Sequence, residues 1–199
     1  VKDALGLGSA TADVAYTGVS AGLKLLDQMK QKLVAAREPG VDRTKIQNEI
    51  TSLQNQSTAD SASFSGQNWL KIDSTAGVDI TKAVVSSFSR DSTNTSTVGT
   101  ISLGLYSAAT GETLALYDTN ATAAAKVGML DRPQTTLSGS TFTIASLDIH
   151  GLTDSATDLA DLDGMISALD ATIGKMTAAA TEFGSAKSRI DMQKTFVSD

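Results

Sequence analysis

The 199 residues hold 16 Lys and Arg against 22 Asp and Glu, with one His, no Cys and 41% hydrophobic content. That is enough apolar material for one buried core, whereas disulfide frameworks, thiolate nucleophiles and multi-His metal sites are excluded. A formal charge of −6 would repel a phosphate backbone, no run of about 18 apolar residues could cross a bilayer, and no basic amphipathic helix suits a membrane surface, so neither nucleic acid nor membrane is expected as a partner.

The first residues lack the basic-then-apolar plan of a signal peptide. The chain opens on Val1 and stops at Asp199 inside a helical pattern, so both ends are expected to be cut within a longer protein.

From Leu5 the positions Leu5, Gly8, Ala12, Ala15, Val19, Gly22, Leu26, Met29, Leu33 and Ala36 follow one another by steps of three and four. Each is apolar or Gly, which makes an a/d heptad seam. Small residues gather in its first half, where a partner backbone can approach closely. Pro39-Gly40 should end this helix. Asp42 is the expected N-cap of a second helix carrying Ile46, Ile50 and Leu53 to about Asp60, joined by a connection short enough to force an antiparallel pair. Past Ser57–Ser65 the helical period disappears around Phe64, Gly66, Trp69 and Leu70, and a hairpin or irregular strand pair is predicted there.

Between Thr75 and His150 the texture becomes Thr, Ser and Gly with short β-branched runs at Ala83–Phe88, Val98–Tyr106, Thr113–Tyr117 and Thr135–Ile149. Ala121–Leu130 is Ala-rich and predicts a short helix. The heptad returns at Leu159, Leu162, Ile166, Leu169, Ile173, Met176, Ala180 and Phe183. Ile190 and Val197 continue at sevens, with Lys187 and Lys194 in the alternate seam positions. The expected fold is α+β: long antiparallel heptad-patterned helices in a rod-like bundle, with a β-hairpin and a small β-rich inserted domain. Residues 1–73 and 153–199 would form the rod and 74–152 the insert. The termini should meet at one end of the rod, with the insert at the other.

Candidates for chemistry are few. His150, beside Gly151 in an Asp148-Ile149-His150-Gly151 turn, is the only imidazole a catalytic triad could use, and a lone loop His points to no reaction. Ala4-Leu5-Gly6-Leu7-Gly8 resembles a glycine-rich nucleotide loop, but no strand precedes it and a third Gly is missing; the heptad phase makes Gly8 a packing residue. Asp158, Asp161 and Asp163 fail the calcium-loop spacing and suit the positive end of a helix dipole. The triplets starting at Asn55, Asn94 and Asn120 fit the N-glycosylation pattern, as a Ser/Thr-rich chain does by chance. No catalytic, cofactor-binding or metal site is expected.

The organisation of terminal helices around a variable middle resembles flagellin. Lys45-Ile46-Gln47-Asn48-Glu49-Ile50 resembles that family's Ile-Gln-x-Glu-Ile helix, and Phe64-Ser65-Gly66 resembles its Phe-Asn-Gly turn. Asp3–Gly8, Phe64–Leu70 and Gly184–Ile190 look most like rhizobial flagellins. The resemblance covers about 1–73 and 153–199 and implies a filament subunit that supports motility. It further implies export without a cleaved signal peptide, an extracellular location on the flagellum, and as partners other flagellin subunits, an export chaperone and the filament cap. The family's terminal polymerisation helices are absent, so this chain by itself is expected to be monomeric.

Many flagellins also carry a patch bound by a Toll-like receptor, made of an Arg, a Leu four residues later and a Glu on the second helix. Here Leu33 and Glu49 match, but Met29 stands where the Arg is expected. Met cannot replace a guanidinium's fork of donors, so receptor recognition should be weak or absent. By spacing, however, Met29 also belongs to the seam, and a seam residue would not face a receptor. Competing readings are a hook-filament junction protein, which shares the helix plan, and an adhesin or effector whose β-rich middle binds a ligand. No enzyme is expected.

Overall fold

The computed structural model describes residues 1–62 and 69–198. Three long helices run in chain order: α1 (Lys2–Ala36), α2 (Arg43–Ala62) and α3 (Ala156–Ser198). Between α2 and α3 lie β1 (Lys71–Ile72), β2 (Ile80–Arg90), β3 (Ser96–Tyr106), β4 (Tyr117–Asp118), β5 (Gln134–Thr135) and β6 (Thr141–Phe142), with single 3-10 turns at Ala123–Ala125 and Ile144–Ser146. At 1.5 Å per residue α1 is about 50 Å long and α3 about 65 Å.

All ten heptad positions read on α1 are buried. Their main partner is α3, which runs antiparallel to α1 over most of its length, while Gly8 meets Val84 of β2. Ser9 donates to Asp191 at 2.5 Å, Lys30 pairs with Asp170 at 2.7 Å and Arg37 with Asp163 at 2.6 Å, so each step up α1 is matched by an equal step down α3. The seam on α3 departs from the expected phase along most of its length: Leu162, Leu169, Met176 and Phe183 are buried as expected, but Met165, Thr172 and Ala179 fill the positions between them, and Leu159, Ile166 and Ile173 are only half-buried. Ala186 is buried after Phe183, followed by Ile190, while Lys187 lies at the surface between Asp13 and Asp191 and Val197 is exposed. A three-residue step from Phe183 to a small Ala keeps an ammonium out of the seam, which lysine at 187 would otherwise have to enter.

The α1–α2 turn forms for local reasons. Gly40 adopts φ +76, the left-handed geometry that glycine tolerates without cost. The Asp42 carboxylate caps α2 by accepting from Lys45 N at 3.1 Å. At the start of α3 the Ser155 hydroxyl accepts from Asp158 N, and the Asp158 carboxylate reaches back to the Thr153 amide and hydroxyl.

The middle of the chain departs most from expectation. The hairpin anticipated around Phe64–Leu70 falls largely on residues outside those described; Trp69 and Leu70 form a turn. Two of the four β-branched runs do form a long antiparallel hairpin, β2 with β3, with a bulge between Val85 and Ser87. The Thr113–Tyr117 run supplies one bridge to Tyr106 and the two-residue β4, which pairs in parallel with β1. Thr135–Ile149 breaks into the tiny β5–β6 ladder and a 3-10 turn. The helix expected at Ala121–Leu130 is reduced to one 3-10 turn. There, Thr122 N donates to the Asn120 side chain, Val127 N to the Asp118 carboxylate, and Met129 N and Leu130 N to the carbonyls of Ala115 and Leu116. Donors committed in that way are not free for a helical ladder, so alanine's propensity is overridden.

The insert also lies elsewhere than expected. The termini do meet at one end, but the insert runs along the flank of the rod instead of sitting at the far end. Gln193 Nε2 donates to Ser86 O at 2.8 Å, and a Cβ on Gly8 would come within 2.7 Å of both Val84 methyls, so β2 presses on the terminal half of the rod. At the other end Gln47 and Gln54, buried on α2, hold the Ile144–Ile149 segment through Leu147 O, Ile144 O and Ile149 N. One apolar cluster contains the helix seam together with Trp69, Leu105, Leu116, Leu130, Ile144 and Ile149.

Candidate functional site

The residues singled out by sequence separate into buried and exposed groups. Met29 is 1% exposed and Leu33 0%, both inside the seam. Glu49 sits on α2 at the surface, 2.7 Å from Lys32 Nζ on α1. The hydrogen bond from Lys32, more than its charge, holds the Glu49 carboxyl below the usual range. Seam phase therefore decides where Met29 lies, and Glu49 is the one member of the trio at the surface, already engaged by a lysine.

His150 is exposed, with Nδ1 2.7 Å from Asp148 Oδ1. The His150 backbone amide, and then its ring, hold the Asp148 carboxyl low. Both line a shallow polar groove of about 360 Å³ with Gln47, Gln54 and Ser146. The imidazole nitrogen bonds Asp148, and the Ser146 hydroxyl lies 2.6 Å from Thr143 Oγ1.

Each of the three acidic residues has a structural partner: Asp158 accepts from the Thr153 amide and hydroxyl ahead of α3, Asp161 accepts from the Ser138 amide and hydroxyl, and Asp163 pairs with Arg37. These are specific contacts, beyond the general dipole effect expected. Among the described residues no group of three or more His, Cys, Asp and Glu could hold a metal, and no helix is long and apolar enough to cross a membrane. Gly8 has the packing role assigned to it, although its close neighbour is Val84 of the insert.

Sequence reasoning missed two polar knots. Arg43, with its side chain 6% exposed, bridges the C-terminal carbonyl of α1 at Ala36 and the Asp154 carboxylate ahead of α3. Asp118, 2% exposed, gathers donors from Ser74, Asn120 and Val127. An Asp-Thr-Asn string such as 118–120 signals side-chain-to-backbone bonding, but its distant partner Ser74 leaves no local mark.

The geometry thus defines a helical-rod protein whose working parts are surfaces and packed seams. Residues 1–75 match the bacterial flagellin N-terminal helical region. The whole chain is 37% identical over 209 residues to Flagellin C of Rhizobium meliloti (strain 1021), covering 64% of that protein. It is 31% identical over 279 residues to Flagellin B of Rhizobium meliloti, with 99% of this chain and 70% of the relative covered. A shorter match reaches 55% identity with Flagellin A of the same species over 93 residues, 46% of this chain and 23% of that one. The chain belongs to the flagellin family.

Proposed function

We propose that the protein is a structural subunit of an extracellular flagellar filament that supports motility, acting by lateral packing of helical rods. The observation that carries this reading is the α1–α3 seam, which makes a stiff strut about 50 Å long and joins a family match to flagellins over the full chain. A strut that repeats through non-closing contacts builds a helical lattice, which needs no reacting group. Residues 1–73 and 153–199 supply the rod, and 74–152 the variable outer part. Partners on this reading are other flagellin subunits, an export chaperone and the filament cap, with export proceeding without a cleaved signal peptide.

Recognition by a Toll-like receptor is weak or absent on this reading. Burial of Met29 and Leu33 supports it, because a receptor could reach neither without opening the seam. Seeded polymerisation of the full-length gene product, followed by sedimentation, tests the assembly reading. The full-length protein should pellet as polymer and residues 1–199 alone should remain monomeric; a full-length product that never pellets with seeds would overturn it. In a receptor-reporter assay the full-length protein should give little response, and a full response at low concentration would contradict the receptor reading.

A further inference from the structure

The described residues contain one buried site at which two carboxylates act on the same backbone segment. Asp118 Oδ1 accepts from Ser74 N at 3.1 Å and Asn120 N at 2.9 Å, and its Oδ2 accepts from Ser74 Oγ at 2.5 Å and Val127 N at 3.0 Å. One side chain thereby ties the end of β1 to the loop that follows β4. Asp118's own amide donates to Asp131 Oδ2 at 2.7 Å, while Asp131 Oδ1 is buried without a partner. The Leu116 carbonyl lies on the same side of Gly128 as that oxygen: a Cβ there would come within 2.7 Å of Leu116 O and closer still to Asp131 Oδ1. Gly128 thus leaves room for an oxygen that nothing donates to.

The two carboxyls are pushed in opposite directions. Burial alone would raise Asp118, but the bonds from Ser74, Asn120 and Val127 outweigh it and hold the group below the usual carboxylate range. For Asp131 burial prevails over the bond from the Asp118 amide and the attraction of Lys126, and its carboxyl is pushed up. Other charged or titratable groups around the site are Asp73 beside β1, Lys126, whose Nζ donates to Asp118 O at 2.6 Å, Tyr117, whose hydroxyl meets Ser57 of α2, and Arg132, directed to the carbonyls of Gly111 and Val127. From α3, Lys175 shares a small cavity with Met129 and Arg132.

We propose that Asp118 and Asp131 form a proton-operated latch: a proton gained by Asp118, or one lost from Asp131, releases residues 118–131 from the Lys71–Ser74 segment while the helical rod stays folded. The charged Asp118 contributes stability that is lost as pH falls through its depressed folded value, when the carboxylate that serves four donors becomes a neutral acid and a weaker acceptor. Below its raised folded value Asp131 is protonated, and the stability this gives is lost as pH rises through that value, when charge develops on a carboxyl whose buried Oδ1 has no donor. The latch is tightest between these limits. The seam from Leu5 to Ala36 is built of apolar side chains and glycine and has no corresponding proton to gain or lose.

Amide hydrogen exchange across pH on the full chain tests this, expressed as protection factors so that intrinsic rates cancel. In the parent protein, protection at Ser74, Asp118, Asn120 and Val127 should fall on both sides of the window, by up to about tenfold per pH unit for each linked proton, while seam amides stay flat. Asp131→Asn keeps an acceptor for the Asp118 amide and should abolish the fall on the high-pH side. Asp118→Asn should leave Ser74 and Val127 weakly protected at every pH. Latch and seam amides losing protection together in the parent protein would overturn the proposal, as would an Asp131→Asn variant that keeps the parent pH profile.

Discussion

Along the rod, Leu5, Leu26, Met29 and Leu33 of α1 and Leu162, Leu169, Met176 and Phe183 of α3 are buried with no polar atom to satisfy. In the insert, Leu105, Leu116, Leu130 and Ile149 join the same apolar cluster, but irregular segments are also tied by side chains bonded to backbone: Asp118 to Ser74 and Val127, Gln47 and Gln54 to the Ile144–Ile149 segment, and Thr113 to Leu105 O and Ala115 N. Apolar burial is non-directional and repeats with the helix period. Hydrogen bonding to irregular backbone is directional and depends on partners tens of residues apart. The first arrangement yields a uniform strut, and the second a shape that can vary while the strut is kept. One face of each region must nevertheless fit the other, since Gly8 and Val84 meet without spare room.

Breaking the rod should have the largest effect. Met29→Arg would place an unpaired guanidinium in the seam, and a loss of about 4 kcal/mol or more is expected in chemical denaturation; an unchanged midpoint would show that Met29 faces solvent. Phe183→Ala removes a fully buried ring that stacks on Trp69 at 6.3 Å and should cost about 3–5 kcal/mol. At the contact between the two regions, Gly8→Ala meets a stiff β-branched side chain and should cost about 1–3 kcal/mol. Gly22→Ala meets the end of Met176, 2.8 Å away, with Leu116 in ordinary contact at 3.8 Å, and a flexible thioether can move aside for less than about 1 kcal/mol. Equal losses at the two glycines would remove the distinction between a rigid and a yielding neighbour. The smallest effect is expected from Lys32→Ala, which breaks an exposed pair with Glu49 and should leave the thermal midpoint unchanged within error.

The rod was legible because its physics is periodic. Ten positions on α1 could be named from spacing alone, and the Asp42 cap and the Gly40 turn follow from single-residue chemistry. Legibility failed wherever a tertiary partner overrode a local preference. Lysine at 187 fits the sevens, yet a nearby alanine fills the seam and leaves the charge to Asp13 and Asp191. The Ala-rich run at 121–130 is denied a helix by Asp118 and Asn120. The insert's place on the flank depends on Gln193 reaching Ser86, a pairing 107 residues apart that no pattern announces. Met29 was readable two ways, as a seam residue by spacing and as a receptor position by resemblance, and only burial separated them.

Electron microscopy of the full-length gene product, expressed as the sole flagellin in cells lacking their own, tests the account most directly. Helical filaments should form, with α1 and α3 paired in antiparallel register inside each subunit and the insert along the flank of the rod. Secreted protein that stays as dispersed particles, or filaments whose subunits lack that helix pair, would contradict it.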